Sequence, residues 1–301
     1  MKNQGRSSDC WAYAMLAMIE SEHIQRGDSV NLSVAYVLRM RLLDEFRRYY
    51  LTRGQIGFTD RGMGQTLINT IEEYGAMPYD SYQDNVNANS KEISNKLVYI
   101  ADNNMGRGGG LKSAMSIAES VLDNTLGPSP LHVFMLGAEY TPLEFAHSVC
   151  QEDEYTALTS YTHHPFNQSF VLEVPDNWEQ NRFYNVPIDT LEIRVINALR
   201  NHHSVCWEGD VSEPGFSFDN GTALLNNDSR TITQEMRQRE FERFITTDDH
   251  CMEIIGIAHD NADKRYFICK NSWGTDNPYK GLMYMSVNYF RLKTIAVYMV
   301  K

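Results

Sequence analysis

Asp9-Cys10-Trp11-Ala12-Tyr13-Ala14-Met15-Leu16-Ala17-Met18-Ile19-Glu20 opens a helix on a cysteine. Trp11, Met15, Met18, Ile19 and Ile24 recur at the spacing of an apolar helix face, Asp9 can cap the start and Gly27 can stop the end. A thiol attacks as its thiolate, and the positive end of a helix stabilises that anion. Cys10 is therefore a candidate nucleophile, provided partners for it exist. A carboxylate directly before it opposes ionisation, and the simpler role for Asp9 is that of an N-cap.

Partners stand near the other end of the chain. In Thr247-Asp248-Asp249-His250-Cys251-Met252-Glu253-Ile254 a histidine sits at the entrance of an apolar strand. After a second apolar strand, Tyr266–Cys269, comes Lys270-Asn271-Ser272-Trp273-Gly274-Thr275, which offers an amide, an aromatic ring and a turn glycine. Adjacent strands place His250 and Asn271 side by side. An amide is a sufficient orienter for an imidazole when the working pair is already thiolate and imidazolium. Trp273 can shield that hydrogen bond from water. Gln4 can donate its amide, together with the Cys10 backbone N–H, to the oxyanion of a tetrahedral intermediate. Asp248 and Asp249 either favour the imidazolium, meet a substrate amine or form a solvated turn. Cys251 reads as a small packing residue, with oxidation sensitivity as the alternative.

Outward from these motifs the texture changes once. Helical patterns run from residue 30 or 31 to about Tyr50 and from Met63 to Tyr74, the latter ending at Gly75 and Pro78. Residues 83–110 are polar, Asn-rich and broken by glycines, and a helical pattern from Leu111 to Leu126 follows. Gly106-Arg107-Gly108-Gly109-Gly110 lacks the Gly-Lys-Ser/Thr ending of a phosphate loop and reads as a linker. From about residue 131 short apolar runs dominate: Leu131–Leu136, Phe170–Val174, Ser204–Trp207, Met252–Ala258, Tyr266–Cys269, Leu282–Val287 and Ile295–Val300. A helix over Asp189–Arg200 interrupts them, and the charge-laced 232–244 reads as an exposed segment. The pattern is α+β: a helical left domain with the nucleophile over 1–82, a helical insertion over 83–130 and a sheet-rich right domain over 131–301. An active site belongs between the halves.

Composition bounds the partners. The 301 residues carry a net charge of −12 with no evident basic patch, which argues against a phosphate-backbone binder. No apolar run approaches the roughly 18–20 residues of a membrane span. Five cysteines, at 10, 150, 206, 251 and 269, match neither a disulfide framework nor a paired zinc motif and read as free thiols. His163-His164 and His202-His203 lack carboxylate ligands at helical spacing, so no metal and no cofactor is expected. Residues 1–5 contain no signal-like apolar stretch. A cytoplasmic protein is expected, or an extracytoplasmic one whose targeting segment has been removed, and Met1 is read as the start of a truncated or processed form.

Asn3 to Ala14, with Gln4 and Cys10, then His250, then Asn271-Ser272-Trp273-Gly274, resemble the papain superfamily of cysteine peptidases, in the chain order Gln, Cys, His, Asn. The likeness is closest to the bleomycin hydrolase and aminopeptidase C branch. Thr162–Phe166, Val174–Trp178, Tyr184–Asp189, Glu73–Pro78 and Asn271–Pro278 also look like stretches of that branch. The resemblance implies a helical left domain and a β-barrel-like right domain with Cys10 and His250 facing across the cleft. It assigns Cys10 as nucleophile, His250 as general acid and base, Asn271 as orienter and Gln4 as oxyanion donor. It also places Asp60-Arg61-Gly62-Met63-Gly64 along the substrate backbone on the non-prime side, with Arg61 where a first glycine is expected. In that branch a carboxyl-terminal tail lies in the cleft and binds the substrate amine. The implied activity is that of an aminopeptidase acting on peptides, with homo-oligomerisation open. The alternatives are an endopeptidase with an open cleft and a catalytically silent binding module.

Overall fold

The structure, a computed structural model, describes residues 1–301 except 86, 87, 136, 152 and 227. Helix α1 (Cys10–Gln25) is apolar on most of its circumference: Trp11, Ala12, Ala14, Met15, Leu16, Met18 and Ile19 are all buried. A helix without a wet face belongs inside a protein. It lies against α2 (Val34–Leu51) and α3 (Gly64–Tyr74) on one side and against strands of the large sheet on the other. Ser33 caps α2 through its hydroxyl, which accepts from the Tyr36 N–H.

The next helix, α4 (Ser90–Gly106), corrects the expectation of a polar excursion over 83–110. Asn89 caps it, and Ile93, Leu97 and Ala101 form a narrow i, i+4, i+8 stripe. That stripe packs with Ala114, Ala118 and Leu122 of α5 (Leu111–Leu126) and with Leu42 and Phe46 of α2. Only three of the apolar positions lie on the buried stripe, and the others, clustered at 98–100, blur the helical spacing in the sequence. The glycines of 106–110 make the turn between α4 and α5, with Gly108 at φ +72°.

Then follow β1 (Val133–Met135), β2 (Ala138–Tyr140), α6 (Pro142–Val149), β3 (Tyr155–Thr159), β4 (Ser169–Val171), β5 (Arg182–Asn185), α7 (Ile188–Arg200) and β6 (Val205–Gly209). The remainder is β7 (Phe216–Ser217), β8 (Thr222–Ala223), α8 (Gln234–Glu242), β9 (His250–His259), β10 (Arg265–Lys270), β11 (Leu282–Ser286), α9 (Val287–Lys293) and β12 (Thr294–Val300). The expected strand over Leu131–Leu136 is β1, and its last position lies outside the described residues. Ten strands form one mixed sheet in the order β4-β5-β3-β12-β6-β9-β10-β11-β8-β7. Among the described residues no pairing joins β4 to β7, so the sheet is open where a barrel-like half was expected. The layout is α+β, helices first and sheet after.

Segment 232–244 contains α8, and one of its charges is not solvated. Arg237 is fully buried, donates to the carbonyls of Ser160 and Arg291, and lies over the Tyr161 ring. The five cysteines are free, as expected, and all of them are buried. No helix among the described residues is long and apolar enough to cross a membrane.

Candidate active site

Cys10 is the first residue of α1, so its N–H is among those that a helix leaves without an intrahelical acceptor. Helix α1 runs against β9 and β6 and so brings Cys10 to the strand that begins with His250. In the ladder, His250 faces Gly209 and Cys251 faces Glu208. Gly209 leaves no room for a larger residue, since a Cβ there would meet the Lys293 carbonyl oxygen at 2.2 Å. β10 pairs with β9 on its other side, and the residue just after β10 is Asn271. Its Oδ1 lies 2.9 Å from His250 Nε2. That contact fixes the tautomer and leaves Nδ1 for the cysteine.

The electrostatics favour an ion pair. Cys10 is held well below the usual thiol range, first by a hydrogen bond from the Cys251 thiol and then, against burial, by the hydrogen bond and charge of His250. His250 goes the other way. Burial opposes its charged form, but the Cys10 hydrogen bond and charge, with Asn271 behind, raise it above its ordinary value. Between the two pKa values the pair is thiolate and imidazolium. Burial pushes the Cys251 thiol well above the usual range, and the Cys10 thiolate adds to that. Cys251 is buried in the same apolar cluster as Cys10 and is a small packing residue there.

Trp273 lies with its ring centroid 4.6 Å from that of His250, and Phe216 and Phe218 meet it edge-on at 5.8 and 5.5 Å. This stack covers the imidazole, and the two phenylalanines carried no signal in the sequence. Gly274, at φ +78°, turns the chain beyond it.

The amino-terminal segment is docked on the same turn. Asn3 bridges to Trp273, the Gln4 N–H donates to the Ser272 carbonyl at 2.8 Å and the Gly274 N–H to that of Lys2. The Gln4 carboxamide is oriented at both ends: Nε2 donates to the Ser7 carbonyl at 2.7 Å, and Oε1 accepts from the Ser272 hydroxyl. One N–H of Nε2 remains for the cleft.

The cleft, of about 340 Å³, is lined by Gln4, Cys10, His250 and Trp273 and also by Arg61, Gly62, Asp176, Glu208, Asp248 and Asp249. Of the sequence-predicted residues, Gln4, Cys10, Arg61, Gly62, His250 and Trp273 therefore share one cavity, and Asn271 reaches it through its bond to His250 rather than on the lining. Asp176 and Glu208 were missed: Asp176 lies in a polar connection and Glu208 in an apolar strand, and neither setting points to a cleft. Burial pushes Glu208 well above the ordinary carboxylate range, and Tyr298 donates to one of its oxygens. Lys301 is elsewhere. β12 passes the site at Thr294, which pairs with Gly209, and then runs about 20 Å further at roughly 3.3 Å per residue to Lys301, beside Asp153 and Glu154.

Asp9 is a cap by position only. Its side chain makes no capping bond, it is 3% exposed, and its Oδ1 is buried without a hydrogen-bond partner. Burial pushes the carboxyl up to about 7. The folded state therefore holds this proton more tightly than the unfolded chain, and stability falls as pH rises from about 4 to 7. At 1.4 kcal/mol per pKa unit the penalty above pH 7 is at most about 4 kcal/mol. Asp9→Asn is expected to stabilise by about 1–3 kcal/mol at pH 8 and by much less at pH 5, read from guanidinium unfolding at both values. An equal gain at both pH values contradicts the assignment.

His163, His164 and Glu173 are the one cluster among the described residues whose geometry suits a metal. Gln238 decides against ligation through His163 Nε2. Its Oε1 accepts from the Thr162 N–H at 2.6 Å, so its NH₂ faces His163 Nδ1 at 2.9 Å. Nδ1 is then the acceptor and Nε2 carries the proton that meets Glu173 at 3.1 Å.

A cysteine at a helix start, a histidine and an amide on neighbouring strands, and a cleft between a helical half and a sheet define a papain-like cysteine peptidase. Comparison with known proteins agrees. The crystal structure of PepW from Lactobacillus rhamnosis superimposes with a TM-score of 0.77 at 19% identity, covering 100% of this chain and 79% of that one. Aminopeptidase W of Lactobacillus delbrueckii subsp. lactis is 22% identical over 98% of this chain and 79% of its own length. Aminopeptidase E of Lactobacillus helveticus is 22% identical over 96% and 78%. Residues 133–300 match the Peptidase C1-like family, and the chain belongs to that family. It is a thiol-dependent hydrolase of peptide bonds.

Proposed function

We propose that the protein is an aminopeptidase in which Cys10 attacks the peptide carbonyl, His250 delivers the proton to the leaving amine and then activates water, Asn271 orients the ring, and Gln4 with the Cys10 N–H receives the oxyanion. Arg61 and Gly62 bind the acyl side of the substrate and Trp273 shields the imidazole. The observation that carries this reading is Cys10 and His250 on the lining of one cleft with Asn271 bonded behind the imidazole, the thiol lowered and the imidazole raised. Two curated relatives bear the name aminopeptidase. Asp248 and Asp249, on the lining of the cleft, suit a substrate ammonium.

The same reading divides the chain at 82/83 and 130/131. Self-association is compatible with it, and the net charge of −12 speaks against nucleic acid as a partner.

The test is hydrolysis of one fluorogenic aminoacyl amide with a free amino group and with that group acetylated, under reducing conditions. Turnover of the free form only is expected. Equal turnover of both establishes an endopeptidase with an open cleft, and turnover of neither favours a binding module.

A further inference from the structure

In an attack by Cys10 the scissile carbonyl has three directions to fill. Its oxygen turns to Gln4 and the Cys10 N–H, and its leaving nitrogen to His250. The acyl chain takes what remains, toward Arg61, Gly62 and Asp176, which line the same cleft. That side is bridged from one half of the protein to the other. Arg61, in the loop before α3, donates from Nε to both Asp176 oxygens at 2.7 and 2.9 Å and from Nη2 to Oδ2 at 2.7 Å. Nη2 also donates to the Asp248 carbonyl at 2.6 Å. Both partners lie close enough to Cys10 for its charge to act on them.

The bridge is braced on each side. Asp176 stands in the connection between β4 and β5, and its N–H donates to Asp248 at 2.9 Å. Further along that connection, Trp178 donates from Nε1 to the Arg61 carbonyl at 3.2 Å. Its ring carries the guanidinium groups of Arg41 and Arg48 of α2 at 3.9 and 4.2 Å. Asn69 of α3 donates to Glu179 and Asn181 at 3.0 and 3.1 Å. Bidentate guanidinium–carboxylate pairs fix geometry as well as charge, and an Arg has no smaller substitute there.

We propose that the Arg61–Asp176 bridge is a length gate: it walls the cleft behind the first residue or so of the acyl chain and so confines cleavage to the amino-terminal end of a peptide. The gate rests on the peptidase reading of Cys10 and His250. It is built from side chains in the body of the fold, and it limits length irrespective of what binds the amine.

The test varies length at constant charge. Fluorogenic amides carrying one, two and four residues, all with a free amino group, are compared on the wild type, Arg61→Gly and Asp176→Asn. The wild type is expected to prefer the one-residue amide. In both variants kcat/KM for the four-residue amide relative to the one-residue amide should rise at least about tenfold. Asp176→Asn removes the carboxylate that clamps the guanidinium and so lets Arg61 swing aside, and it serves if Arg61→Gly does not fold. A wild type that prefers the four-residue amide, or variants with an unchanged ratio, overturns the gate. If the wild type hydrolyses none of them, the peptidase reading has failed separately. The gate is then judged by alkylation of Cys10 with one-residue and four-residue peptidyl chloromethyl ketones, where the same variants must raise the relative rate of the longer reagent.

Discussion

Cys10→Ala is expected to abolish peptide hydrolysis, by a factor of at least about 10⁴ in kcat/KM, and to leave the fold in place. The loss is large because the acyl-enzyme route needs the sulfur itself, and the remaining oxyanion donors stabilise a transition state that no longer has an attacking group. The fold should survive because Cys10 starts a helix whose core contacts come from Trp11, Met15, Met18 and Ile19. Removing one sulfur at this border costs about 1 kcal/mol. Turnover and the far-ultraviolet melting curve of the purified variant check both halves of the expectation. Residual activity above a hundredth of wild type removes Cys10 from the mechanism. The wild type supplies a companion measurement, since Cys10 should be alkylated by iodoacetamide already well below the ordinary thiol pKa. Burial raises the other four thiols, which should resist it.

Gln4→Ala is expected to lower kcat by about 10²–10³ with little change in KM, as the loss of an oxyanion donor does. The carboxamide has no other task that accounts for such a drop. Its backbone remains pinned by the Gln4 N–H to the Ser272 carbonyl, so the segment should stay docked when the side chain is removed. Ser272→Ala separates orientation from donation. It takes away the hydroxyl that aims Gln4 Oε1 but not the donor, and should cost only a few-fold. A Gln4→Ala enzyme with unchanged kcat, or one altered only in KM, shows that the oxyanion is received elsewhere.

Much of this site was readable because each member sits where local patterns make a promise. Cys10 opens an apolar helix; His250 and Asn271 flank apolar strands that must pair. The residues that escaped are those whose role depends on a distant neighbour. Asp176 lies in an irregular connection; Arg61 was expected on the substrate side of the cleft, but its pairing with Asp176, 115 residues away in the chain, has no local pattern to announce it. Glu208 reads as one residue of a short strand, and its position on the cleft follows from the register that sets it opposite Cys251. Phe216 and Phe218 lie in a loop-rich stretch and become a cradle for Trp273 only when folded. Helix α4 was missed for a different reason, a one-residue-wide apolar stripe in an Asn-rich segment. Asp9 shows the reverse error: the right residue type at the right position, yet its buried carboxyl makes no bond to the backbone it was expected to cap.

The local patterns of the chain decided its α+β class, its helix-borne cysteine and the pairing of histidine with asparagine, because periodicity and strand adjacency are short-range consequences of backbone geometry. Tertiary structure alone decided the open sheet, the docking of Gln4 on Ser272 and the bridge of Arg61 to Asp176. Each of these joins groups far apart in sequence, and which distant groups meet depends on how the two halves bury their apolar faces against one another.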